Sequence, residues 1–356
     1  MKNQPIKTTD EFNEFTKAFW ENKEKPYAFG IGEHIYDSKG EIICVKWLTI
    51  NVEDNHGTAA VLMNSKGLTA ATIVEIYFQA FLVDGNHHAN IAALEYIGDD
   101  IPAFKVYQTK EDLTDTAPTD ICDVHFRHAL MSRRHFQPNT LNLDGAFGIL
   151  PNLIYTAHSA YTLEDYNESW YYIQEEEGMP ICHDKFPPMY WANPAPSGVR
   201  VANTSMVRNG AHLGKGTTVM HYGFVNFNAG SLGAAMIEAR IAGGVTVDDG
   251  TDIGAGAGFL GTMSGGNDRV LKTGKSNLVG AMAEVGIILG LGNQVAAGVT
   301  ILANTKIYDV RNETWGVGID FDNCNNTLFL FNTKEGRMEA RNVKKPIELN
   351  DELHDN

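Results

Sequence analysis

The chain has 356 residues, of which 43% are apolar and 20% charged, and its 28 basic and 44 acidic residues give a formal net charge of -16 at pH 7. This apolar content excludes a mainly disordered chain, and the acidic balance excludes a protein that coats nucleic acid or an anionic membrane through its overall charge. Glycine is the unusual residue, since its 35 copies are about a tenth of the chain against ~7% in an average protein.

The N-terminal region shows no sign of a targeting segment. The opening run MKNQPIKTTDEFNEF lacks the apolar core of a signal peptide, and no stretch approaches the ~18 apolar residues of a transmembrane helix. The four cysteines lie far apart, without the paired spacing of a zinc site or the density of a disulfide scaffold. We therefore expect a cytoplasmic protein with reduced thiols, no membrane contact and no nucleic-acid partner.

The N-terminal part of the chain predicts a mixed α/β domain. Thr8 and Glu11 fit a capping box at the start of a helix. A β-rich run follows at 41–52, and apolar residues then recur at helical spacing at 73–81 and 124–135. The aromatic residues of these helices are interpreted as core.

Proline and glycine divide the rest of the chain. Eleven of the 12 prolines precede residue 197, whereas residues 200–311 hold 21 of the 35 glycines. A helical domain is excluded there, because each interior glycine costs a helix ~1 kcal/mol. We therefore predict an N-terminal α/β domain at 1–195, a glycine-rich domain at 196–310 and a small C-terminal β extension at 311–356, with 186–198 as a stiff, extended linker.

The glycine-rich domain has a period of six residues. A helix would repeat every 3.6 residues and a plain strand every two, whereas six suits a short strand, a corner and another short strand. Three such units close one triangular coil, so the period predicts a parallel β-helix of about six coils with its large residues pointing inward. These residues form four series, each commonly followed by a small residue: Val201 to Val225 with Ile237 in phase, Ile241 to Phe259, Val279 to Val285, and Leu289 to Ile307.

The breaks in this period predict local departures from a regular coil. Steps of four residues at 237–241 and 285–289 are absorbed by a tighter corner, and Ser231 interrupts the inward series. The run GTMSGGNDRVLK at 261–272 is too polar and flexible to fill a core position. We expect it to loop out of the scaffold, where binding residues tend to lie.

Three further patterns do not predict their usual chemistry. GAGFLG at 256–261 matches G-x-G-x-x-G but lies inside the six-residue period, without the strand and helix of a dinucleotide site. His87 and His88 in GNHHAN are interpreted as a polar loop. A zinc site of three histidines is not predicted, because the repeat offers only His212 and His221.

Two carboxylates stand out because acids are scarce in the repeat. Glu238 lies beside one phase break, with Arg240 two residues later, and Glu284 lies beside another. For each of them the alternative is a solvated corner residue without a chemical role.

At these residues the chain resembles the tetrahydrodipicolinate N-succinyltransferase family, in the branch with a longer N-terminal domain. The likeness rests on GVRVA (198–202), GTTVMHYGFVNFNAG (216–230), MIEARI (236–241) and GTMSGG (261–266), and it covers roughly residues 125–356. It implies a mainly β protein built on a left-handed parallel β-helix, an exception to right-handed crossovers, and assembled as a homotrimer with active sites between subunits. It also implies succinyl transfer from succinyl-CoA to the amine of ring-opened tetrahydrodipicolinate, in lysine and diaminopimelate biosynthesis, without a tightly bound cofactor.

The resemblance also assigns roles to individual positions. Glu238 matches the family's catalytic glutamate, and Glu284 resembles a second acid of the other branch. Arg240 matches a coenzyme-contacting arginine. Five small residues match positions that line the acyl-CoA groove: Ala255, Gly258, Ala281, Ala296 and Ala297.

The chain departs from the family pattern at two places. Ser205 and Tyr222 stand where the closest branch has acids associated with magnesium on the trimer axis, so no metal site is predicted. Leu330 and Phe331 stand where that branch has a basic pair. Other cations are therefore expected to meet the coenzyme phosphates, and charge alone suggests Arg269, Lys272, Lys275 and Lys306.

A carboxylate suits the chemistry of acyl transfer. An amine that attacks a thioester must lose a proton, and the oxyanion that forms must be stabilised. Glu238 is predicted as the general base, or as the nucleophile that takes the acyl group as a mixed anhydride, and the sequence does not separate the two. Two alternatives stay open: an acyltransferase for another acyl-CoA and amine with His221 as base, and a non-catalytic β-helix scaffold.

Overall fold

The computed structural model describes residues 6, 8–81, 87–261 and 269–345. The chain forms two compact units, Met1–Leu130 with Leu141–Lys185 and Met131–Thr140 with Phe186–Asn356. The predicted boundaries after residues 195 and 310 differ from this division and stay a prediction. Within the described ranges, no helix combines the length and apolar character needed to cross a bilayer.

The N-terminal unit consists of helices and two small antiparallel sheets. Its helices are α1 (Thr9–Trp20), α2 (His56–Asn64), α3 (Ala70–Phe81), α4 (His87–Ile97), α5 (Glu111–Thr114), α6 (Ile121–Ser132), α7 (Ala146–Ile149) and α8 (Leu163–Glu177). Strands β1 (Ala28–Tyr36), β2 (Ile42–Val52) and β3 (Ala103–Tyr107) form a sheet in the order β2–β1–β3. Strands β4 (Leu153–Tyr155), β5 (Ala160–Tyr161) and β6 (Cys182–Asp184) form a second sheet in the order β5–β4–β6. The predicted α/β character of this region is confirmed.

Most local elements follow the sequence patterns. α1 begins at the capping box, in which the Glu11 N–H donates to Thr8 Oγ1 and the Thr8 N–H donates to the Glu11 carboxylate. β2 and α3 coincide with the predicted strand and second helix, and α6 coincides with the third but ends at Ser132. The four cysteines carry free thiols, and Cys44 is buried.

His87 and His88 do not form the predicted loop, because they open α4. The residues that follow the two histidines explain why this segment is helical. Ile91, Leu94 and Ile97 recur at helical spacing and are buried. Packing of these three residues in the core stabilises the helix that begins at the two histidines.

The second unit contains the left-handed parallel β-helix. After α9 (Met189–Ala192), its strands are β7 (Arg200–Val201), β8 (Ala211–Leu213), β9 (Thr217–Val219), β10 (Phe224–Val225), β11 (Ala229–Ser231), β12 (Ala235–Ile237), β13 (Arg240–Ile241), β14 (Thr246–Val247), β15 (Thr251–Ile253), β16 (Gly258–Phe259), β17 (Leu278–Val279), β18 (Glu284–Val285), β19 (Gln294–Val295) and β20 (Thr300–Ile301). They stack on three faces: face A (β7, β9, β12, β15, β17, β19), face B (β10, β13, β16, β18, β20) and face C (β8, β11, β14).

The residues predicted to point inward fill the core of this solenoid. Fifteen of them are at most 2% exposed: Val207, Leu213, Val219, Val225, Ile237, Ile241, Val247, Ile253, Phe259, Val279, Val285, Leu289, Val295, Ile301 and Ile307. Ser231 keeps the inward position too, because its hydroxyl lies 2.6 Å from Thr217 Oγ1 and accepts from the Gly214 N–H at 3.1 Å. The six-residue period therefore identifies the core even where a polar residue interrupts it.

The number of coils differs from the expectation. The solenoid has about five turns rather than about six. The difference arises after Phe259 on face B, since the next pairing on face C is that of Lys272 with Thr246. The corner between Phe259 and Lys272 therefore contains residues that the six-residue period would place in further strands.

The run at 261–272 departs from its prediction at one residue. Residues 262–268 lie outside the described part, so their looping out stays a prediction. Leu271, however, is 5% exposed and belongs to the solenoid core. The expectation that this run fills no core position is wrong, because its leucine is apolar and lies where the chain rejoins face C.

The run at 186–198 is not an extended linker. Met189 and Trp191 lie in α9, and Met189 is fully buried in the solenoid core. The Met189 N–H donates to the Val207 carbonyl at 2.7 Å, and the Asn209 N–H donates to the Pro187 carbonyl at 2.8 Å. The apolar side chains between the prolines therefore pack against the first turn of the solenoid.

The C-terminal extension is a small β structure, as predicted. Residues 311–356 contain β22 (Thr314–Val317), β23 (Thr327–Asn332) and β24 (Arg337–Asn342), which join β21 (Lys306–Asp309) from the stretch just before them. These strands lie in the order β22–β21–β24–β23, and β23 pairs in parallel with β19, so face A continues into the extension.

Candidate active site

Glu238 lies at a corner between face A and face B. The stacked corners that join these two faces form an edge of the solenoid, called here the A/B edge, which comprises 220–223, 238–239, 254–257, 280–283 and 296–299. The Glu238 N–H donates to the Ile253 carbonyl at 3.0 Å, and the Glu238 carbonyl accepts from the Gly256 N–H at 3.1 Å. These two bonds fix the Glu238 backbone against the corner of the next turn.

The carboxylate of Glu238 is available for chemistry. The residue is half-buried, and its side chain makes no hydrogen bond or ion pair within the part of the chain that the structure describes. The corner that holds Glu238 is shorter than the corner of the next turn. One residue separates the inward Ile237 from the buried Ala239, whereas three residues separate Ile253 from Ala257. The longer corner therefore lies next to the Glu238 side chain.

Three alanines continue the A/B edge above Glu238. Ala255, Ala281 and Ala297 are exposed and occupy successive turns. The Met282 N–H donates to the Ala255 carbonyl and the Gly298 N–H to the Ala281 carbonyl, each at 2.9 Å. The N–H groups of the three alanines donate to no backbone acceptor among the described residues. The edge thus presents a row of free amide donors.

Close stacking of the turns requires small residues along this edge. A Cβ on Gly254 would lie 2.7 Å from the Ala281 nitrogen, and one on Gly280 would lie 2.5 Å from the Ala297 nitrogen. Both distances are shorter than real Cβ atoms show, and the atoms met are backbone. Ala296 is half-buried in the same column, where its N–H donates to the Phe329 carbonyl at 2.9 Å.

Arg240 and Glu284 meet on face B across Gly258. The strand register pairs Arg240 with Gly258 and Gly258 with Glu284. Arg240 Nη2 lies 3.5 Å from each carboxylate oxygen of Glu284. A Cβ at position 258 would lie 2.8 Å from Glu284 Oε2 and 3.2 Å from Arg240 Nη2. The glycine is what allows a charged pair to reach across an intervening strand.

This ion pair orients the two side chains more than it stabilises the fold. The Arg240 and Glu284 side chains are 56% and 34% exposed. Pairs exposed to this degree contribute about 0–1 kcal/mol, because water and salt screen them. The pair therefore holds a guanidinium at a defined place on face B.

The sequence predicts the roles of these residues separately, without their contact. The signal is present in the repeat, because Arg240, Gly258 and Glu284 each directly precede an inward residue. Residues at the same place in consecutive turns of one face become neighbours across the strands.

The cations proposed for the coenzyme phosphates are not brought together. Lys275 lies at the corner between faces C and A, where its carbonyl accepts from the Gly292 N–H at 2.9 Å. Arg269 forms an ion pair with Asp322. Lys306 lies over the Trp315 ring, 4.4 Å from its centroid, and Lys272 is exposed on the stretch that rejoins face C. Within one chain, Lys275 is thus on a different edge from Glu238.

The two histidines of the repeat have different surroundings. His221 is exposed on the A/B edge one turn before Glu238, next to Met220, whose N–H donates to the Ile237 carbonyl at 2.9 Å. His212 is buried with Nδ1 2.8 Å from the Ser231 carbonyl, and burial lowers the pKa of its imidazole. Across the described ranges, no group of three or more His, Cys, Asp or Glu side chains is placed to hold a metal ion.

Comparison with known proteins identifies relatives that share one name. No family model matches the chain. The chain is 39% identical over 251 residues to the 2,3,4,5-tetrahydropyridine-2,6-dicarboxylate N-succinyltransferase of Vibrio cholerae, which covers 68% of this chain and 72% of that protein. It is 35% identical over 341 residues to the enzyme of the same name from Pseudomonas paraeruginosa, which covers 92% of this chain and 97% of that protein.

A solved structure extends the likeness to the whole fold. It is the crystal structure of a Campylobacter jejuni protein assigned as a 2,3,4,5-tetrahydropyridine-2-carboxylate N-succinyltransferase. The two structures superpose with a TM-score of 0.83 at 27% sequence identity, covering 96% of this chain and 100% of the other.

Proposed function

Because the chain belongs to the 2,3,4,5-tetrahydropyridine-2,6-dicarboxylate N-succinyltransferase family, we propose that it transfers the succinyl group of succinyl-CoA to the amine of ring-opened tetrahydrodipicolinate. The chain is an acyltransferase, so a non-catalytic scaffold is excluded. The observation that carries the proposal is the free Glu238 carboxylate on the A/B edge, next to a row of free amide donors. The A/B edge therefore offers the two kinds of group that acyl transfer needs, a base and hydrogen-bond donors for the oxyanion.

In the proposed mechanism, Glu238 is the general base. The ammonium of the acceptor gives one proton to the Glu238 carboxylate, which releases it to solvent, and the amine nitrogen then attacks the thioester carbon while Glu238 takes a second proton from that nitrogen. The tetrahedral intermediate then collapses with loss of the CoA thiolate, which takes the proton back from Glu238. No ion pair competes for this carboxylate in the described part of the chain. Proton transfer of this kind contributes about 10²–10⁴-fold to a rate.

The free N–H groups of Ala255, Ala281 and Ala297 supply the remaining polar contacts. The donor nearest to Glu238 along the edge, that of Ala255, stabilises the oxyanion of the thioester carbonyl. The others are placed to bind the amide carbonyls of the extended coenzyme arm. Their small side chains leave the backbone accessible, as the proposed groove requires.

Arg240 and Glu284 act as a unit in this proposal. Arg240 attracts the anionic substrate to face B, and Glu284 holds the guanidinium across Gly258. Glu284 is thus a positioning residue, although the resemblance compares it with a second catalytic acid. Lys275, on another edge, contributes to coenzyme binding through the edge of a neighbouring subunit.

A homotrimer with sites between subunits is part of the proposal. Tyr222 is 85% exposed and Met282 is 69% exposed, and both lie on the A/B edge with Glu238. Tyr222 lies one turn before Glu238 and Met282 two turns after it, and exposed large apolar side chains on both sides of a site suit a surface for a partner, here a second copy of the chain. Light scattering would give three times the chain mass. The cytoplasm is the proposed compartment.

A substrate panel tests the proposal. The purified protein is expected to release CoA thiol from succinyl-CoA only when tetrahydrodipicolinate is present, and more slowly from acetyl-CoA. A stoichiometric release without acceptor would assign the mixed-anhydride route to Glu238 instead. Absence of turnover with every pairing of these substrates would refute the proposed reaction.

One alternative within the acyltransferase class has structural support. His221 shares the A/B edge with Glu238 and is one turn away. It would serve as the base if the acceptor were a different amine. Activity with other amines but not with tetrahydrodipicolinate, lost in His221→Gln and retained in Glu238→Gln, would favour that enzyme.

A further inference from the structure

The N-terminal unit contains a groove of about 550 Å³ beside β3. This β3 groove lies between the end of α2, the turn that follows it, and β3. Its walls are mainly apolar and include Leu62, Leu68, Phe104 and Val106. Small-molecule sites typically have volumes of ~300–1,000 Å³ and apolar walls with a few polar groups. The β3 groove has this size and this lining.

Two polar atoms at the β3 groove are buried without a hydrogen-bond partner in the described part of the chain. Ser65, at the C-cap of α2, is 2% exposed, and its hydroxyl makes no hydrogen bond among the described residues. His34 Nδ1 is buried and equally without a partner there. Both residues line the groove. Buried polar groups are nearly always hydrogen-bonded because leaving them unpaired destabilises the fold, so two at one groove indicate a polar ligand group.

The charges around the β3 groove indicate the sign of that group. Two lysines line it, whereas no Asp or Glu does in the described part of the chain. Lys105 is neutralised by Asp120, whose carboxylate lies 2.8 Å from its Nζ. Lys66 is exposed and forms no ion pair within the described ranges.

Two weaker electrostatic effects do not reverse this sign. Burial lowers the pKa of His34, which disfavours the charged form of its imidazole. The C-terminus of α2 contributes about half a negative charge near Ser65, which is less than the full positive charge of Lys66. The β3 groove therefore favours an anionic head group.

We propose that the β3 groove binds a monocarboxylate whose apolar body has the length of a medium-chain fatty acid. Its carboxylate accepts from the Lys66 ammonium, and rotation of the buried Ser65 and His34 side chains toward the groove lets it accept from the Ser65 hydroxyl and His34 Nδ1–H as well. Its apolar body lies against Leu62 and Phe104. All of these residues belong to the N-terminal unit, so the site is independent of the proposed acyl transfer.

Calorimetric titration of the full chain with octanoate, below its micelle concentration, tests this site. One octanoate is expected to bind per chain. Hexanoate, with two methylenes fewer, is expected to bind roughly tenfold more weakly, since each methylene is worth a few-fold in affinity. Octylamine is expected to bind at least about tenfold more weakly, because its head group is cationic. Octanoate that fails to bind, or that binds no better than octylamine, would overturn the proposal.

Paired variants separate a built site from adventitious binding. Lys66→Glu is expected to weaken octanoate binding by about tenfold or more, whereas Lys66→Arg keeps it within about twofold. Ser65→Ala is expected to weaken binding several-fold while raising the Tm of the ligand-free chain, because it removes a buried unpaired hydroxyl. A higher Tm with unchanged affinity would contradict the role of Ser65.

The binding test also stands apart from the catalytic test. Glu238→Gln is expected to bind octanoate as the unmodified chain does, because Glu238 belongs to the other unit. Octanoate affinity unaffected by both Lys66→Glu and Ser65→Ala would show that the β3 groove is not the site.

Discussion

Arg240 and Glu284 form an ion pair across Gly258, with Arg240 Nη2 3.5 Å from both carboxylate oxygens. The three residues occupy one column of face B in successive turns. A Cβ at position 258 would clash with the Glu284 carboxylate, so we expect a single methyl group there to disturb the pair.

Gly258→Ala is expected to lower kcat/KM by about tenfold, or about 1.4 kcal/mol. The new Cβ would lie 2.8 Å from Glu284 Oε2 and would push the carboxylate away from Arg240. Only flexible side-chain ends must move, so the Tm should stay nearly constant. Gly243→Ala is the matched control, because its nearest contact is 3.7 Å away. Equal kinetics for the two variants would contradict a role for the pair.

Glu284→Gln is expected to raise the KM for succinyl-CoA several-fold with a smaller effect on kcat. The change frees Arg240 from its partner without altering the size of the side chain. The melting temperature should change little, since exposed pairs contribute about 0–1 kcal/mol. Steady-state kinetics at low and high salt provide the measurement, with the exposed Glu335→Gln as control. A fall in kcat at unchanged KM would instead assign Glu284 to the chemical step.

Asn277→Ala is expected to destabilise the solenoid by about 2–4 kcal/mol, because several buried backbone groups lose their partner. Asn277 is fully buried, its Nδ2 donates to the carbonyls of Gly274 at 2.7 Å and Gly290 at 2.9 Å, and its Oδ1 accepts from the Asn293 N–H at 2.8 Å. Urea denaturation would measure the loss. The exposed Asn304→Ala should stay within about 0.5 kcal/mol of the unmodified chain.

Stability of the N-terminal unit is expected to fall as the pH is lowered from about 6.5 to about 4. Burial lowers the pKa of His125 to about 4 and that of His128 to about 3. In this window the unfolded chain binds protons that the folded chain excludes, so acid favours unfolding, by about 3 kcal/mol for His125.

The pH dependence of the urea midpoint checks this expectation. His125→Leu should reduce the slope of the profile between pH 6.5 and 4 by about half, because one of the two buried histidines no longer titrates. The exposed His158→Leu is the control. A profile that is flat in the unmodified chain would contradict the effect of burial on the two histidines.

The six-residue period predicted the solenoid and its core from the sequence. Residues such as Val285 and Ile301 are identified by periodicity alone, because only one direction in each turn leads to the interior. Periodicity does not specify whether a single apolar residue within a polar run returns to the core, so it does not predict the burial of Leu271. It also does not show whether a proline-rich run packs, as Met189 demonstrates.

The site was predictable only in part. Glu238 and the small residues of the A/B edge follow from the resemblance and the phase breaks. The contact between Arg240 and Glu284 required the register between turns, and the free amide donors required the hydrogen bonds of each corner. Both depend on how the turns stack rather than on residue types.

The turnover of Glu238→Gln with succinyl-CoA and tetrahydrodipicolinate tests the central claim most directly. The amide keeps the size of the side chain and cannot take a proton from the acceptor ammonium. We expect kcat to fall by about 10²–10⁴-fold, with the Tm and the oligomeric state unchanged. A variant that keeps more than about a tenth of the original kcat would contradict Glu238 as the base.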